Sequence, residues 1–227
     1  MPSHQIKESE EAVYLSPKNS ATAAVIWLHG LGADGNDFVP IVPELGLDDL
    51  AIRYVFPHAP VRPVTLNNGM RMRAWYDIPS VRDMKNQDGA GIRDSERILH
   101  GFIQRELDAG IKAEKIVLAG FSQGGAIVLH TGLRYPHRLA GILALSTYLP
   151  LGEQFEAEAR PERSDTPILM CHGEFDPMLP IQLGNWSRDV LKEKGYSVEW
   201  RQYPMQHQVC AEEIEHIGAW LRQRLTA

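Results

Sequence analysis

Six short apolar runs, separated by longer segments of helical periodicity, constrain the fold of this 227-residue chain more than any other feature. Each run has the length of a strand and is followed by glycine, proline or a polar residue, which marks a strand end. The runs are Ala23–Leu28, Ala51–Phe56, Lys115–Ala119, Leu139–Leu145, Pro167–Cys171 and Ser197–Tyr203. Strands that alternate with helices predict an α/β fold with a mostly parallel central sheet and helices on both faces.

Four further segments are predicted to be helices, and three of them place apolar residues at the spacing of a single helix face. These segments are Ile92–Ala109, Gln123–Tyr135, Ile181–Lys194 and Cys210–Leu225. Gly110 and Gly195 follow two of them as C-terminal caps, and Pro136 stops a third. No repeat, low-complexity tract or Gly/Ser-rich linker interrupts the chain, so we expect residues 1–227 to form a single domain.

The charge balance narrows the classes of partner. Lys and Arg number 23 against 29 Asp and Glu, a net charge of −6, whereas nucleic-acid binding and docking on anionic membranes call for basic patches. The apolar runs are too short for stable insertion into a bilayer.

The start, MPSHQIKESEE, lacks the apolar core of a secretory signal, and Cys171 and Cys210 lack metal-binding spacing. We therefore expect a cytoplasmic protein; its oligomeric state is left open, with a weak homodimer as one option.

The motif Gly120-Phe121-Ser122-Gln123-Gly124 directly follows one apolar run and precedes a predicted helix. In this strand–turn–helix context, G-x-S-x-G is typical of a nucleophilic serine on a turn so tight that only small neighbours fit. The helix N-terminus would also direct backbone N–H groups at a developing oxyanion. We predict that Ser122 is a catalytic nucleophile; the alternative is a structural glycine-rich turn that binds nothing.

A nucleophilic serine needs a general base and a carboxylate that orients it. Where the serine lies in a G-x-S-x-G turn between a strand and a helix, the carboxylate and then the histidine follow it in the chain. His207 lies in a loop between the last strand and the last helix and is the predicted base, with His172 as the nearest competitor. Asp176 follows the run Pro167–Cys171 and is the predicted carboxylate, with Glu174 as its rival.

The glycine-rich loop His29–Gly35 follows the first strong strand and can turn its backbone N–H groups inward. We predict the N–H groups of Leu31 and Gln123 as the donors of an oxyanion hole. The loop lacks the spacing of phosphate-binding loops, and its acidic residues lack the calcium-loop pattern. We therefore expect no metal site and no cofactor.

Together these and several neighbouring motifs resemble the small carboxylesterase, acyl-protein thioesterase and lysophospholipase group of α/β-hydrolases. The resemblance runs from about residue 23 to the C-terminus. The motifs that carry it are Leu28–Phe38, Pro57–Pro60, Ala74–Asp77, Gly120–Ala126, His172-Gly173 with Asp176-Pro177, and Tyr203–His207. It implies an α/β-hydrolase fold with Ser122, Asp176 and His207 as the triad and Leu31 and Gln123 as the oxyanion donors.

Two departures from the family pattern concern the substrate groove and the loop of the base. Thr147 and Tyr148 stand where the family usually has a small residue beside the acyl groove, so Tyr148 would favour shorter acyl chains. Pro204-Met205-Gln206 replaces the more usual Gly-Met-Gly before His207, which would make this loop stiffer.

The acyl-binding wall is predicted from residues near the strand ends. We expect Leu31, Trp75, Leu149 and Met178 to bind substrate, with the segment Pro57–Gly91 as the opposite rim. For Trp75 and Met178, the alternative is that they fill the core. The segment Ser146–Thr166 is short, polar and charged, which predicts a solvated loop and no large cap domain or lipase lid.

These observations predict a serine hydrolase, specifically a carboxylesterase, that cleaves carboxylic esters of small to medium acyl groups through an acyl-enzyme. Its substrate would be a small-molecule ester or thioester. Three alternatives stay open: lysophospholipase or acyl-protein thioesterase activity as the main role, a peptidase or depolymerase on the same fold, and a non-catalytic binding protein that keeps the hydrolase fold.

Overall fold

An eight-stranded sheet and a separate two-stranded hairpin organise the chain, in a computed structural model that describes residues 4–80, 86–158 and 165–226. The strands are His4–Glu8 (β1), Ala12–Pro17 (β2), Ala23–Leu28 (β3), Ile52–Pro57 (β4), Val61–Val64 (β5), Met70–Arg73 (β6), Ile116–Phe121 (β7), Gly141–Leu145 (β8), Ile168–Gly173 (β9) and Val198–Tyr203 (β10). The order in the large sheet is β1-β2-β4-β3-β7-β8-β9-β10, and β5 pairs with β6.

The large sheet is mostly parallel, which confirms the prediction. Only β1–β2 and β2–β4 pair antiparallel, whereas the five other neighbouring pairs are parallel. The carboxyl ends of the parallel strands therefore meet at one edge of the sheet, where ligands bind in open α/β sheets.

Five α-helices connect and cover the strands of the described ranges: Gly89–Asp108 (α1), Gln123–Arg134 (α2), Gly152–Glu158 (α3), Ile181–Glu193 (α4) and Ala211–Thr226 (α5). Apolar residues of α1, α2 and α4 join one core layer, whereas α5 and the 3₁₀ helix Val39–Leu45 join the other. Helices thus lie on both faces of the sheet, as the sequence predicts. None of the helices within the described ranges is long and apolar enough to cross a membrane.

Strand β3 shows why a sheet of this kind is buried on both faces. Its side chains alternate in direction, so that Ala24, Ile26 and Leu28 enter the layer of α1 and α2. Val25 and Trp27 enter the layer of α5. All twelve residues of α2 are buried, which makes it the central helix and fixes the turn that precedes it.

The structure corrects the sequence analysis between β8 and β9. Residues 152–158 were expected in a solvated loop but form the short helix α3. Phe155 is 1% exposed, and Glu158 pairs with Arg93 of α1 and Arg134 of α2. One buried aromatic residue and ion pairs to two other helices stabilise this helix. Sequence analysis could not predict these contacts, because the partners lie in distant parts of the chain. Residues 159–164 of the expected loop lie outside the described ranges.

Candidate active site

Ser122 lies on a strained turn between β7 and α2. Its φ and ψ are 55° and −118°, a conformation that a non-glycine residue adopts only where the surroundings impose it. A Cβ at Gly120 would lie 2.5 Å from the Gly124 backbone, and a Cβ at Gly124 would lie 2.5 Å from the Leu28 carbonyl oxygen. The glycines of the motif therefore allow β7, the turn and α2 to approach each other closely enough to expose Ser122.

The three predicted site residues form one chain of hydrogen bonds. Nε2 of His207 lies 2.9 Å from Oγ of Ser122. Nδ1 of the same ring donates to Oδ2 of Asp176 at 2.6 Å. Because the carboxylate accepts at Nδ1, the neutral ring has its free lone pair at Nε2, directed at the serine.

The turn that holds Asp176 is closely packed against the loop of His207. Oδ1 of Asp176 accepts from the N–H groups of Met178 and Leu179, both at 2.9 Å, and the carboxylate is buried. A Cβ on Gly173 would lie 2.3 Å from the carbonyl oxygen of Gln206 in the His207 loop. Glycine at this position therefore allows His207 and Asp176 to come within hydrogen-bonding distance.

His172 and Glu174, the competing candidates, do not contact Ser122. Nε2 of His172 donates to the carbonyl oxygen of Leu179 at 2.8 Å, and burial lowers the pKa of this ring. The ring therefore supports the turn beneath Asp176. Glu174 accepts from Nε2 of Gln202 at 3.0 Å on the surface.

Leu31 lies in the loop after β3, and Gln123 directly follows Ser122 as the first residue of α2; their backbone N–H groups are the predicted oxyanion donors. Among the described residues neither group has a hydrogen-bond acceptor. The ring of His29 bonds to the carbonyl oxygen of Gly30 at 2.7 Å and accepts from the Ala59 N–H at 3.0 Å, so Nδ1 carries the proton. Burial lowers the pKa of His29 to about 4, which keeps the ring neutral. Sequence analysis did not predict that the His29 ring holds this loop through these two hydrogen bonds, although the residue stands in the glycine-rich motif.

The side chain of Gln123 joins this turn to the segment that follows β6. Its Oε1 accepts from the Trp75 N–H at 2.8 Å, and its Nε2 donates to the Tyr76 carbonyl oxygen at 2.7 Å. The indole N–H of Trp75 donates to the carbonyl oxygen of His29 at 2.9 Å. The start of α2 and the loop after β3, which carry the two predicted oxyanion donors, are therefore both attached to one buried segment.

A cavity of about 280 Å³ opens on Ser122 and His207, a volume at the small end for ligand sites. Leu31 and Met178 line it, as expected for substrate-binding residues. The structure places Trp75 and Leu149 elsewhere: both are buried in the core and do not line this cavity. Trp75 faces the core because its indole N–H finds an acceptor there, which corrects its assignment to the acyl wall.

The cavity also contains residues that sequence analysis placed beside the groove or on its opposite rim. Tyr148 lines it, as its predicted position beside the groove requires, and the expected rim Pro57–Gly91 contributes four residues. These four are Leu66, Tyr76, Ile78 and Ser80. Residues 81–85 of this rim lie outside the described ranges.

Acidic residues near the cavity do not form a metal centre. Asp34 accepts from the Asn36 N–H at 2.7 Å in a local turn. Within residues 4–80, 86–158 and 165–226, no group of three His, Cys, Asp or Glu side chains could hold a metal ion.

Comparison with protein families identifies the family to which the chain belongs. The model of the phospholipase/carboxylesterase family matches residues 9–225. The chain belongs to this family. Acyl-protein thioesterase 1 of Neurospora crassa is 44% identical over 216 residues, which cover 90% of this chain and 87% of the relative.

Solved structures of other proteins share the fold. Arabidopsis thaliana SOBER1 superposes with a TM-score of 0.84 at 33% identity, over 89% of this chain and 99% of that protein. Zea mays acyl-protein thioesterase 2 gives a TM-score of 0.84 at 29% identity, over 94% of this chain and 98% of that one. The α/β-hydrolase fold and the resemblance seen in the motifs are thereby confirmed.

Proposed function

We propose that this protein is a serine hydrolase that cleaves carboxylic esters and thioesters through an acyl-enzyme at Ser122. The observation that carries the proposal is the continuous chain from Ser122 Oγ through His207 to Asp176, with bonds of 2.9 and 2.6 Å, at the mouth of an apolar cavity. Membership in the phospholipase/carboxylesterase family supports the same chemistry.

Acylation begins when Oγ of Ser122 attacks the carbonyl carbon of the substrate while Nε2 of His207 takes the hydroxyl proton. The carbonyl oxygen becomes an oxyanion, and the N–H groups of Leu31 and Gln123 donate hydrogen bonds to it. Asp176 accepts from Nδ1 of His207, fixes the tautomer and stabilises the imidazolium.

The tetrahedral intermediate collapses when the bond to the leaving group breaks. Nε2 of His207 returns its proton to the departing oxygen or sulfur, and the acyl group remains on Ser122. Water then attacks this ester, with His207 again as the base, and the carboxylic acid departs. A thiol leaves more readily than an alcohol because its pKa is lower, so the same groups serve thioesters.

The physiological role is the finer part of the proposal. We favour a carboxylesterase acting on small to medium acyl groups, because the cavity is small and α3 is too short to be a cap. The names of the relatives favour thioesterase activity as a second candidate. Matched oxygen and sulfur esters of one acyl group, assayed for kcat/KM, distinguish the two.

The assignment of the base is tested by two substitutions of one type. His207→Gln should lower kcat by several orders of magnitude, because the serine loses its proton acceptor. His172→Gln should keep kcat within about tenfold of wild type, since its ring bonds to Leu179. An inactive His172→Gln enzyme beside an active His207→Gln enzyme would show that the base is wrongly assigned, provided that circular dichroism shows both folded.

We further propose a cytoplasmic location, which the free thiols of Cys171 and Cys210 support. The single domain and the weak homodimer stay predictions. Labelling of the protein by a fluorophosphonate would exclude the non-catalytic binding protein.

A further inference from the structure

Two tyrosines in the largely apolar lining of the cavity that opens on Ser122 are joined through their hydroxyl groups. The hydroxyl oxygens of Tyr76 and Tyr148 lie 2.7 Å apart. The two residues are 2% and 7% exposed, and both line the cavity. The apolar residues around them are Leu31, Leu66, Ile78, Phe121, Met178 and Leu179.

A count of hydrogens shows that this pair keeps one donor unused. Each phenol has one hydroxyl hydrogen, and the bond between the two oxygens uses one of them. The other hydrogen has no acceptor among the described residues. Burial raises the pKa of both Tyr76 and Tyr148, so both hydroxyls stay protonated. A buried donor without an acceptor is costly, and a bound ligand with an acceptor atom removes that cost.

The backbone on both sides of the pair is held by hydrogen bonds. The carbonyl oxygen of Tyr76 accepts from Nε2 of Gln123 at 2.7 Å. Next to Tyr148, the N–H of Leu149 donates to Oγ of Ser187 at 2.8 Å, and Oγ1 of Thr147 donates to the carbonyl oxygen of Ser122 at 2.7 Å. The hydroxyl pair is therefore positioned before a substrate binds, which favours selective recognition.

We propose that the Tyr76–Tyr148 hydroxyl pair is a binding subsite for an acceptor oxygen within the apolar part of the substrate, such as an ether, keto or second ester oxygen. The inference rests on the proposed ester hydrolysis at Ser122 and names its substrate class: esters with an oxygenated chain. A plain alkyl chain leaves the donor unmatched, so an oxygen at the right position should raise kcat/KM by about five- to tenfold.

The experiment moves one oxygen along a chain of constant length. Para-nitrophenyl esters of octanoic acid and of its ether analogues, with one methylene at a time replaced by oxygen beyond the third carbon, are compared by kcat/KM. Rates of hydroxide hydrolysis correct for intrinsic reactivity. A second series, acetate esters of the corresponding alcohols, shows whether the acyl or the alcohol part occupies the cavity.

Substitution by phenylalanine keeps the volume of each side chain and removes its hydroxyl. The double variant Tyr76→Phe/Tyr148→Phe should lose the preference for the oxygenated ester while it still hydrolyses the octanoate. At least one single variant should keep the preference, because a lone hydroxyl still has its hydrogen. Tyr135→Phe, a buried tyrosine that does not line the cavity, is the matched control and should behave as wild type.

The inference would be overturned if the wild-type enzyme showed no higher kcat/KM for an oxygenated ester than for the plain alkyl ester in either series. It would also be overturned if the double variant kept this preference unchanged. The wild-type scan alone decides the question if the double variant fails to fold. Failure of the proposed function looks different, since no ester would then be hydrolysed or hydrolysis would persist in Ser122→Ala.

Discussion

The ring of His29 bonds to the carbonyl oxygen of Gly30 at 2.7 Å, in the peptide unit whose N–H belongs to Leu31. A peptide unit is planar and trans, so a bond that holds its oxygen also sets the direction of its N–H on the opposite side. His29 therefore positions one of the two proposed oxyanion donors without contacting the substrate.

Replacement of His29 by phenylalanine should lower kcat by about ten- to a hundredfold with little change in KM, because a loosened oxyanion donor weakens only the transition state. Steady-state kinetics on a soluble ester measure both constants. His137→Gln, at an exposed histidine, is the control. A folded His29→Phe enzyme with kcat within twofold of wild type would refute the positioning role.

The same buried ring should make stability depend on pH. The pKa of His29 falls from 6.5 to about 4 on folding because burial disfavours the charged form. Between pH 6.5 and 4, His29 is therefore protonated in the unfolded chain and neutral in the folded chain. The free energy of unfolding is highest above pH 6.5 and decreases as the pH falls towards 4. Urea denaturation between pH 7 and 4 should show a loss about 3 kcal/mol smaller in His29→Gln than in wild type. Equal losses in both proteins would contradict this account.

One tightly packed glycine and one exposed glycine test the packing of the turn that carries Ser122. A Cβ at Gly124 would meet the backbone oxygens of Leu28 and His29 at 2.5 and 2.6 Å, whereas Gly101, on the exposed side of α1, has nothing within 4 Å. Gly124→Ala should destabilise the fold by more than about 2 kcal/mol and abolish turnover. Gly101→Ala should stabilise it by about 0.5–1 kcal/mol with unchanged kcat. Chemical denaturation and ester turnover measure both effects, and similar behaviour of the two variants would argue against the close approach.

The attachment of α3 to two other helices predicts how hydrolysis responds to substrate aggregation. Ion pairs from Glu158 to Arg93 and Arg134 fasten α3, the helix after β8, to α1 and α2. Para-nitrophenyl esters of increasing chain length should therefore show no jump in rate when their concentration crosses the solubility limit. A sharp rise at that limit, with the longest chain preferred, would mean that a lid opens on lipid.

The sequence was most informative where one local pattern determines one element. The apolar run Ala23–Leu28 coincides with β3, because a strand buried on both faces leaves a continuous apolar signature. Ser122, Asp176 and His207 could each be located because the carboxyl ends of parallel strands share an edge. Edge strand β1, His4–Glu8, escaped notice because it is polar and exposed, and its order depends on pairing with β2.

Other features depended on contacts between distant parts of the chain. Trp75 could line a cavity or fill the core, and only the distant carbonyl oxygen of His29 decides for the core. Helix α3 depends on arginines of two other helices. Tyr76 and Tyr148 are 72 positions apart, so their hydroxyl pair has no signature in either local sequence.

The most direct test of the central claim is the site of covalent modification. Intact-protein mass spectrometry after treatment with a fluorophosphonate should show one adduct, and peptide mapping should place it on Ser122. The Ser122→Ala protein, shown folded by circular dichroism, should gain no mass. An adduct on another residue, or unchanged labelling of Ser122→Ala, would contradict the assignment of Ser122 as the nucleophile.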